Sequence, residues 1–105
     1  MKTLTCADFA AHINTKFTAH VRDADTEAEI ETIDVELELI KADNRTDTQC
    51  ERFSLIFSGP KENALTQGCY PLRQGVMGEQ SIFLVPISMD EKCVHYKAIF
   101  NRLKA

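Results

Sequence analysis

Between Ile33 and Leu39 the chain alternates without a break, with Ile33, Val35, Leu37 and Leu39 on one phase and Asp34, Glu36 and Glu38 on the other. Successive side chains leave a pleated backbone on opposite sides, so a period of two marks a strand. Wound into a helix, the same residues would spread aliphatic and carboxylate groups around every side and leave no face to bury. The segment must lie on a core and turn its carboxylates to water.

The same period recurs. Phe17, Ala19 and Val21 share a phase, as do Phe53, Leu55 and Phe57, and Val94, Tyr96, Ala98 and Phe100 before a stop at Asn101. Residues 68–72 read as a short edge strand, because Pro71 cannot donate to a ladder. Residues 81–87 are apolar on both phases and predict a strand buried on both sides. Ile30 is out of phase with Ile33, which predicts a β-bulge near Glu31 and Thr32. Residues 41–51 are polar and predict a loop or long hairpin connection. The exception to the β pattern is the start. Thr5 and Asp8 are spaced as a capping box, with Leu4 and Phe9 placed as a hydrophobic staple, which predicts a helix over 6–13 stopped by Asn14. The expected fold is mainly β (α+β): an antiparallel barrel or sandwich of six to seven strands with one short N-terminal helix. No internal repeat is evident.

At 105 residues, 44% hydrophobic and 27% charged, the chain has the size and composition of one globular domain spanning 1–105. It contains no apolar run near the roughly 18 residues of a membrane span. The first residues lack a signal-peptide core, which predicts a cytoplasmic protein. Cys6, Cys50, Cys69 and Cys93 include no CxxC pair, so they read as reduced and mostly buried rather than as zinc ligands.

Charge is unevenly spread. Residues 22–51 hold eleven acidic and three basic side chains, a net of −8, whereas the remainder nets +4. Asp23, Asp25, Glu27, Glu29, Glu31, Asp34, Glu36 and Glu38 therefore form a candidate interaction surface that would steer a basic partner. The competing reading is a solvated hairpin face that discourages edge-to-edge pairing. The acidic total argues against nucleic acid. Asp23, Asp25, Glu27 and Glu29 superficially match a calcium loop, but Ala28 replaces the required glycine and Asp34 the final glutamate.

Cys93 and His95 share the phase opposite Val94 and Tyr96. Side chains two apart on a strand stand about 7 Å apart, too far for a thiolate–imidazole pair. Ser58 lacks a nucleophile elbow, and His12 and His20 are isolated, so no catalytic, metal or cofactor residue is assigned. Phe17, Phe53, Phe57, Phe83, Tyr96 and Phe100 either fill the core or line the mouth of a ligand-binding barrel.

The segments Phe53-Ser-Leu-Ile-Phe-Ser-Gly-Pro60, Leu65-Thr-Gln-Gly-Cys-Tyr-Pro-Leu72, Gly78-Glu79, Phe83-Leu-Val-Pro-Ile87 and Tyr96-Lys-Ala-Ile-Phe-Asn101, with Ala7-Asp8-Phe9, carry a resemblance across nearly the whole chain. Together they resemble an uncharacterised bacterial family, a domain of unknown function whose members are sometimes encoded beside phage-tail-like collar proteins. That pattern usually has a small polar residue where Cys69 stands. The resemblance implies an intact bacterial domain and supplies no catalytic or binding residues. The expected function is a non-enzymatic protein-interaction or assembly module, binding a protein partner or a second copy and neither nucleic acid nor membrane. The alternative is a small-ligand-binding β-barrel.

Overall fold

The computed structural model describes residues 5–23 and 31–103. Its first element, α1 (Cys6–Ala10), begins at the expected capping box. Asp8 N–H donates to the Thr5 hydroxyl at 3.3 Å, and the Asp8 carboxylate accepts from Thr5 N–H at 2.8 Å. Leu4, half of the expected staple, lies outside the described residues. The helix ends three residues earlier than expected, and a turn carries the chain to Asn14. That residue takes the left-handed φ of 71° anticipated for a stop. Its N–H donates to the Leu39 carbonyl at 2.6 Å, which ties the turn to the sheet.

Six strands follow: β1 (Lys16–Asp23), β2 (Glu31–Asn44), β3 (Cys50–Pro60), β4 (Gly68–Gln74), β5 (Gly78–Met89) and β6 (Cys93–Leu103). They close into an antiparallel barrel in the order β1-β2-β3-β6-β5-β4. On β1, β2, β3 and β6 the described inward residues are those of the apolar phase of the sequence. Phe17, Leu37, Leu39, Phe53, Leu55, Phe57, Ile82, Leu84 and Tyr96 fill the interior. Phe9 of α1 plugs one end, with its ring 6.0 Å from Phe53 and 5.7 Å from Phe100. A single 3₁₀ turn (Lys61–Asn63) leads to Leu65, which is also buried.

Four expectations need correction. β1 and β2 pair in unbroken register from Asp23↔Glu31 to Lys16↔Glu38, so no bulge lies at Glu31 and Thr32. Ile30 is outside the described residues. The bulge comes at Ile40, between Leu39 and Lys41, where Leu39 N–H also bonds the Thr15 carbonyl. Within the polar stretch 41–51, residues 45–49 form the expected hairpin connection, but 41–44 and 50–51 are strand, because cross-strand pairing carries the ladder past the end of the apolar pattern. β4 is not an edge. It pairs with β5 throughout and with β1 at Thr18↔Arg73 and Ala19↔Leu72, a short seam that stops beside Pro71. Finally, β5 is not buried on both sides. Ile82 and Leu84 point inward, but closing a six-strand barrel leaves the other face outside, and Phe83 is 46% exposed.

The closed topology also contains a repeat that a linear reading misses. Two three-stranded meanders, β1-β2-β3 and β4-β5-β6, meet through their first strands and through their last. The hairpins β2–β3 and β5–β6 turn on the same device. Asp47 and Asp90 each accept from two backbone N–H groups, those of Gln49 and Cys50 and of Lys92 and Cys93, at 2.7–2.9 Å. Each aspartate N–H also donates to the carbonyl of its cysteine at 2.9 Å. Beyond the turns, Cys50-Glu-Arg-Phe-Ser-Leu-Ile-Phe-Ser58 runs parallel in type to Cys93-Val-His-Tyr-Lys-Ala-Ile-Phe-Asn101. Leu55 and Ala98 are equivalent in this alignment and are also register partners. A pseudo-two-fold axis therefore passes between them. The likeness is confined to a few positions per half, which is why the sequence alone conceals it.

Tyr96 shows how polar groups are placed inside. Its ring is fully buried, and its hydroxyl oxygen accepts from Leu65 N–H at 2.7 Å. Tyr96→Phe orphans that buried donor and is expected to cost about 1–2 kcal/mol by urea unfolding. Burial pushes the Tyr96 phenol above its ordinary 10.0, against the opposing effect of the Leu65 N–H. Burial also pushes the Cys6 thiol above its ordinary 9.0, with Asp43 and Glu51 adding to the shift. In both cases the unfolded chain ionises first. Stability is full below those ordinary values and falls as pH rises through the folded ones. Tyr96→Phe should flatten the later part of this alkaline loss, and an unchanged profile would contradict the assignment.

Candidate interaction surfaces

The outward phase of the barrel divides into two walls of different chemistry. On β1 and β2 the described outward side chains are Lys16, Thr18 and His20 facing Asp34, Glu36 and Glu38 across the register. His20 Nδ1 lies 2.6 Å from the Asp34 carboxylate, and Lys16 Nζ lies 3.4 Å from Glu36. These pairs are largely exposed, and such pairs contribute at most about 1 kcal/mol. Lys16 offsets part of the acidity that the sequence concentrates on β2. Of the eight acidic residues singled out above, Asp34, Glu36 and Glu38 are placed outward as expected. Asp23 and Glu31 are described as strand backbone, and Asp25, Glu27 and Glu29 lie outside the described residues.

The second wall is formed by β3, β6 and β5. Its central outward positions are Ser54, Ile56 and Ser58 on β3, His95, Lys97 and Ile99 on β6, and Ser81, Phe83 and Val85 on β5. Among these nine, Lys97 is the single Lys, Arg, Asp or Glu, and exposed Lys41 of β2 stands opposite Ile56 as a second cation. Ile99 is 67% exposed and Phe83 46%, with Ile56 and Val85 half-buried beside them. The bulge in β2 adds Ile40, 37% exposed, next to Ile56. Ile40, Ile56 and Ile99 thus form an apolar stripe across β2, β3 and β6, which Phe83 extends on β5 beyond Val85↔Lys97, where the pairing of β5 with β6 ends. The pseudo-two-fold axis relates Ile56 to Ile99, which follow the Asp turns at the same spacing, and Ile40 to Phe83, which precede them at the same spacing.

Two shallow grooves flank these walls. One, of about 330 Å³, runs beside Phe53, Ile99 and Phe100 with Arg45, Arg52 and Lys97 at its sides. The other, of about 380 Å³, crosses β1–β2–β3 near Glu36, Glu38, Ser58 and Cys93. Of the aromatic set, Phe53 and Phe100 border the first groove, and the others do not line it. Phe17, Phe53, Phe57 and Tyr96 are buried in the core, Phe100 packs against it, and Phe83 points out.

Cys93 and His95 both project outward, but His95 engages a different partner. Its Nδ1 is 3.0 Å from the Ser88 hydroxyl, brought opposite by the bulge at Ile87. All four cysteines are free. Cys6 is buried, Cys50 and Cys93 are half-buried, and Cys69 is exposed, so burial is less general than expected. Among the described residues, no three His, Cys, Asp or Glu side chains converge as a metal ion would require. Nor is any helix there long and apolar enough to cross a membrane.

The family model of DUF6916, described as a domain of unknown function, matches residues 4–100. The chain belongs to this family. No curated protein and no solved structure matches it. The matched region of the DUF6916 domain takes in the barrel up to Phe100, including both walls. The stripe is not among the sites that the sequence singles out: Phe83 falls in the segment expected to be buried on both sides, and Ile99 lies out of phase with Ala98 and Phe100, a surplus hydrophobicity that is the one signal of it in the chain.

Proposed function

We propose that this DUF6916 domain is a non-enzymatic protein-interaction or assembly module that docks through the apolar stripe on β2, β3, β6 and β5. One observation carries this reading: Ile40, Ile56, Ile99 and Phe83 are apolar and wholly or partly exposed near one another, with Lys41 and Lys97 as the charges among them, while carboxylates line β2 before its bulge. A charge-depleted centre with a polar rim is the usual anatomy of a protein interface, and exposed apolar patches commonly mark such sites. The β2 carboxylates, with the acidic residues 23–31 before them, supply steering toward a basic partner surface. Occasional neighbourhood beside phage-tail-like collar proteins in the resembling bacterial family supports an accessory role in a tail-like assembly. Free thiols agree with a cytoplasmic setting. The small-ligand alternative is weaker, because Phe17, Phe57 and Tyr96 fill the core and only Phe53 and Phe100 of the aromatic set border a groove.

The test is retention of proteins from a native bacterial lysate by the intact chain, an Ile99→Ser/Phe83→Ser variant and an Asp34→Asn/Glu36→Gln variant. A partner held by the intact chain should be lost from the stripe variant. It should remain on the acidic-wall variant with a weaker dependence on salt. Equal retention by the stripe variant, or no retained protein even at low salt, would overturn the proposal.

A further inference from the structure

The groove of about 330 Å³ beside Ile99 has a chemistry of its own. We infer that it is a binding site for a small phosphate monoester that carries an apolar substituent. The inference does not rest on docking through the stripe, and it places the ligand on the outer wall of the barrel rather than in its mouth.

The register explains why the wall dips here. Ser54 is a small outward side chain among larger ones. Asp43 and Ile99 stand opposite it across the β2–β3 and β3–β6 ladders, and Arg52 and Ile56 precede and follow it on β3. Lys97 is the register partner of Ile56, so Arg52 and Lys97 flank Ser54 from opposite ends. Arg45 joins Arg52 because its N–H donates to the Arg52 carbonyl at 2.7 Å.

Three cations, Arg45, Arg52 and Lys97, thus border the groove against one carboxylate, that of Asp43. This is a surplus of two positive charges in a chain whose net charge is −4. Adding the neighbours, Lys41 opposite Ile56 and Asp47 beside Arg52, leaves the surplus unchanged. The donors are only partly used. Arg45 gives its Nε–H to Asp43 at 3.1 Å, and one terminal nitrogen of Arg52 lies 3.7 Å from Asp47. Lys97 is half-buried yet has no ion pair among the described residues, and the Ser54 hydroxyl has no hydrogen bond there. Lysine is rarely withdrawn from water without a counter-ion, and a cleft bordered by one sign of charge concentrates ions of the other.

Charge and shape together select the ligand. A phosphate monoester carries about −1.5 to −2 at neutral pH, which matches the surplus, and a single carboxylate brings about half of that. Its oxygens accept from guanidinium, ammonium and hydroxyl groups alike. Ile99, 67% exposed, and the half-buried Phe100 give the groove an apolar side for the substituent. The volume lies at the low end of the roughly 300–1,000 Å³ of small-molecule sites, which suits one ring and its phosphate.

The test is titration of the intact chain with phenyl phosphate and with inorganic phosphate, each to about 10 mM at constant ionic strength, followed by backbone amide chemical shifts. Phenyl phosphate should shift Ser54, Ile99 and their neighbours and bind at least about threefold more tightly than inorganic phosphate. Lys97→Met and Arg52→Gln should each weaken both probes by about tenfold, the loss of one charged hydrogen bond. Ile99→Ser should bring phenyl phosphate down to the affinity of inorganic phosphate and leave the latter unchanged. Lys16→Met, in the other groove, should change neither. Every variant should keep the far-ultraviolet circular dichroism of the parent. An absence of shifts at 10 mM overturns the inference, as do shifts centred away from Ser54, full binding by Lys97→Met, or equal affinity for the two probes. Retention of proteins from lysate is a separate measurement and decides the stripe alone.

Discussion

Phe9→Ala is expected to destabilise the barrel by about 3–5 kcal/mol, the range for deleting a buried phenylalanine ring. Phe9 is 2% exposed and belongs to a five-residue helix that has little stability of its own. What holds α1 is the insertion of this ring against Phe53 and Phe100, which themselves stack at 4.5 Å and 12°. Removing it does more than vacate a cavity. The barrel end it closes is left to water, and the helix loses its anchor. Small domains have about 5–15 kcal/mol in total, so the variant should unfold at far lower urea, with an unchanged slope if the barrel remains two-state. Phe9→Leu should recover most of the loss, because a bulky apolar plug is what the site requires. A cost below about 1 kcal/mol for Phe9→Ala would show that α1 packs on the barrel without sealing it.

The parts of this fold legible in the sequence were those governed by a single strand's own periodicity. The phases of Phe17 to Val21, Val35 to Leu39, Phe53 to Phe57 and Val94 to Phe100 all agree with their burial, and Thr5 with Asp8 marked the helix start. The illegible parts depend on neighbours. Whether residues 81–87 were buried on one side or two is decided by barrel closure, which no local pattern encodes. The bulge at Ile40 answers to the bond between Leu39 and Thr15, a contact between segments far apart in the chain. The repeat joining Cys50 and Cys93 becomes evident once the strand order brings Leu55 beside Ala98.

For the candidate site, the same division holds. The acidity of β2 was plain from composition, but its partial neutralisation was not, since Lys16 meets Glu36 only across the β1–β2 register. The apolar stripe was present in the sequence as surplus hydrophobicity on the wrong phase. Reading it as surface rather than core required knowing how many strands close the barrel.

Gly59→Ala is the second substitution with a large expected effect, about 2–3 kcal/mol. Gly59 stands on the inward phase of β3, where a Cβ would collide with the Leu37 side chain and lie 3.3 Å from Cε2 of Tyr96. Both neighbours are fully buried, so neither can swing into solvent. Leu37 would have to leave its rotamer or β3 would have to bow outward, and interiors packed to crystal density tolerate neither cheaply. The mechanism is steric, so the penalty should shrink when Leu37 is trimmed. Leu37→Ala alone is expected to cost about 2–5 kcal/mol by leaving a void. In the double variant, the alanine methyl at 59 occupies part of that void, and the summed loss should fall short of additivity by about 1 kcal/mol or more. Strict additivity in denaturant unfolding would mean that Gly59 is required for a backbone reason unrelated to Leu37. A single variant as stable as the parent would mean that the interior has slack where the coordinates show contact.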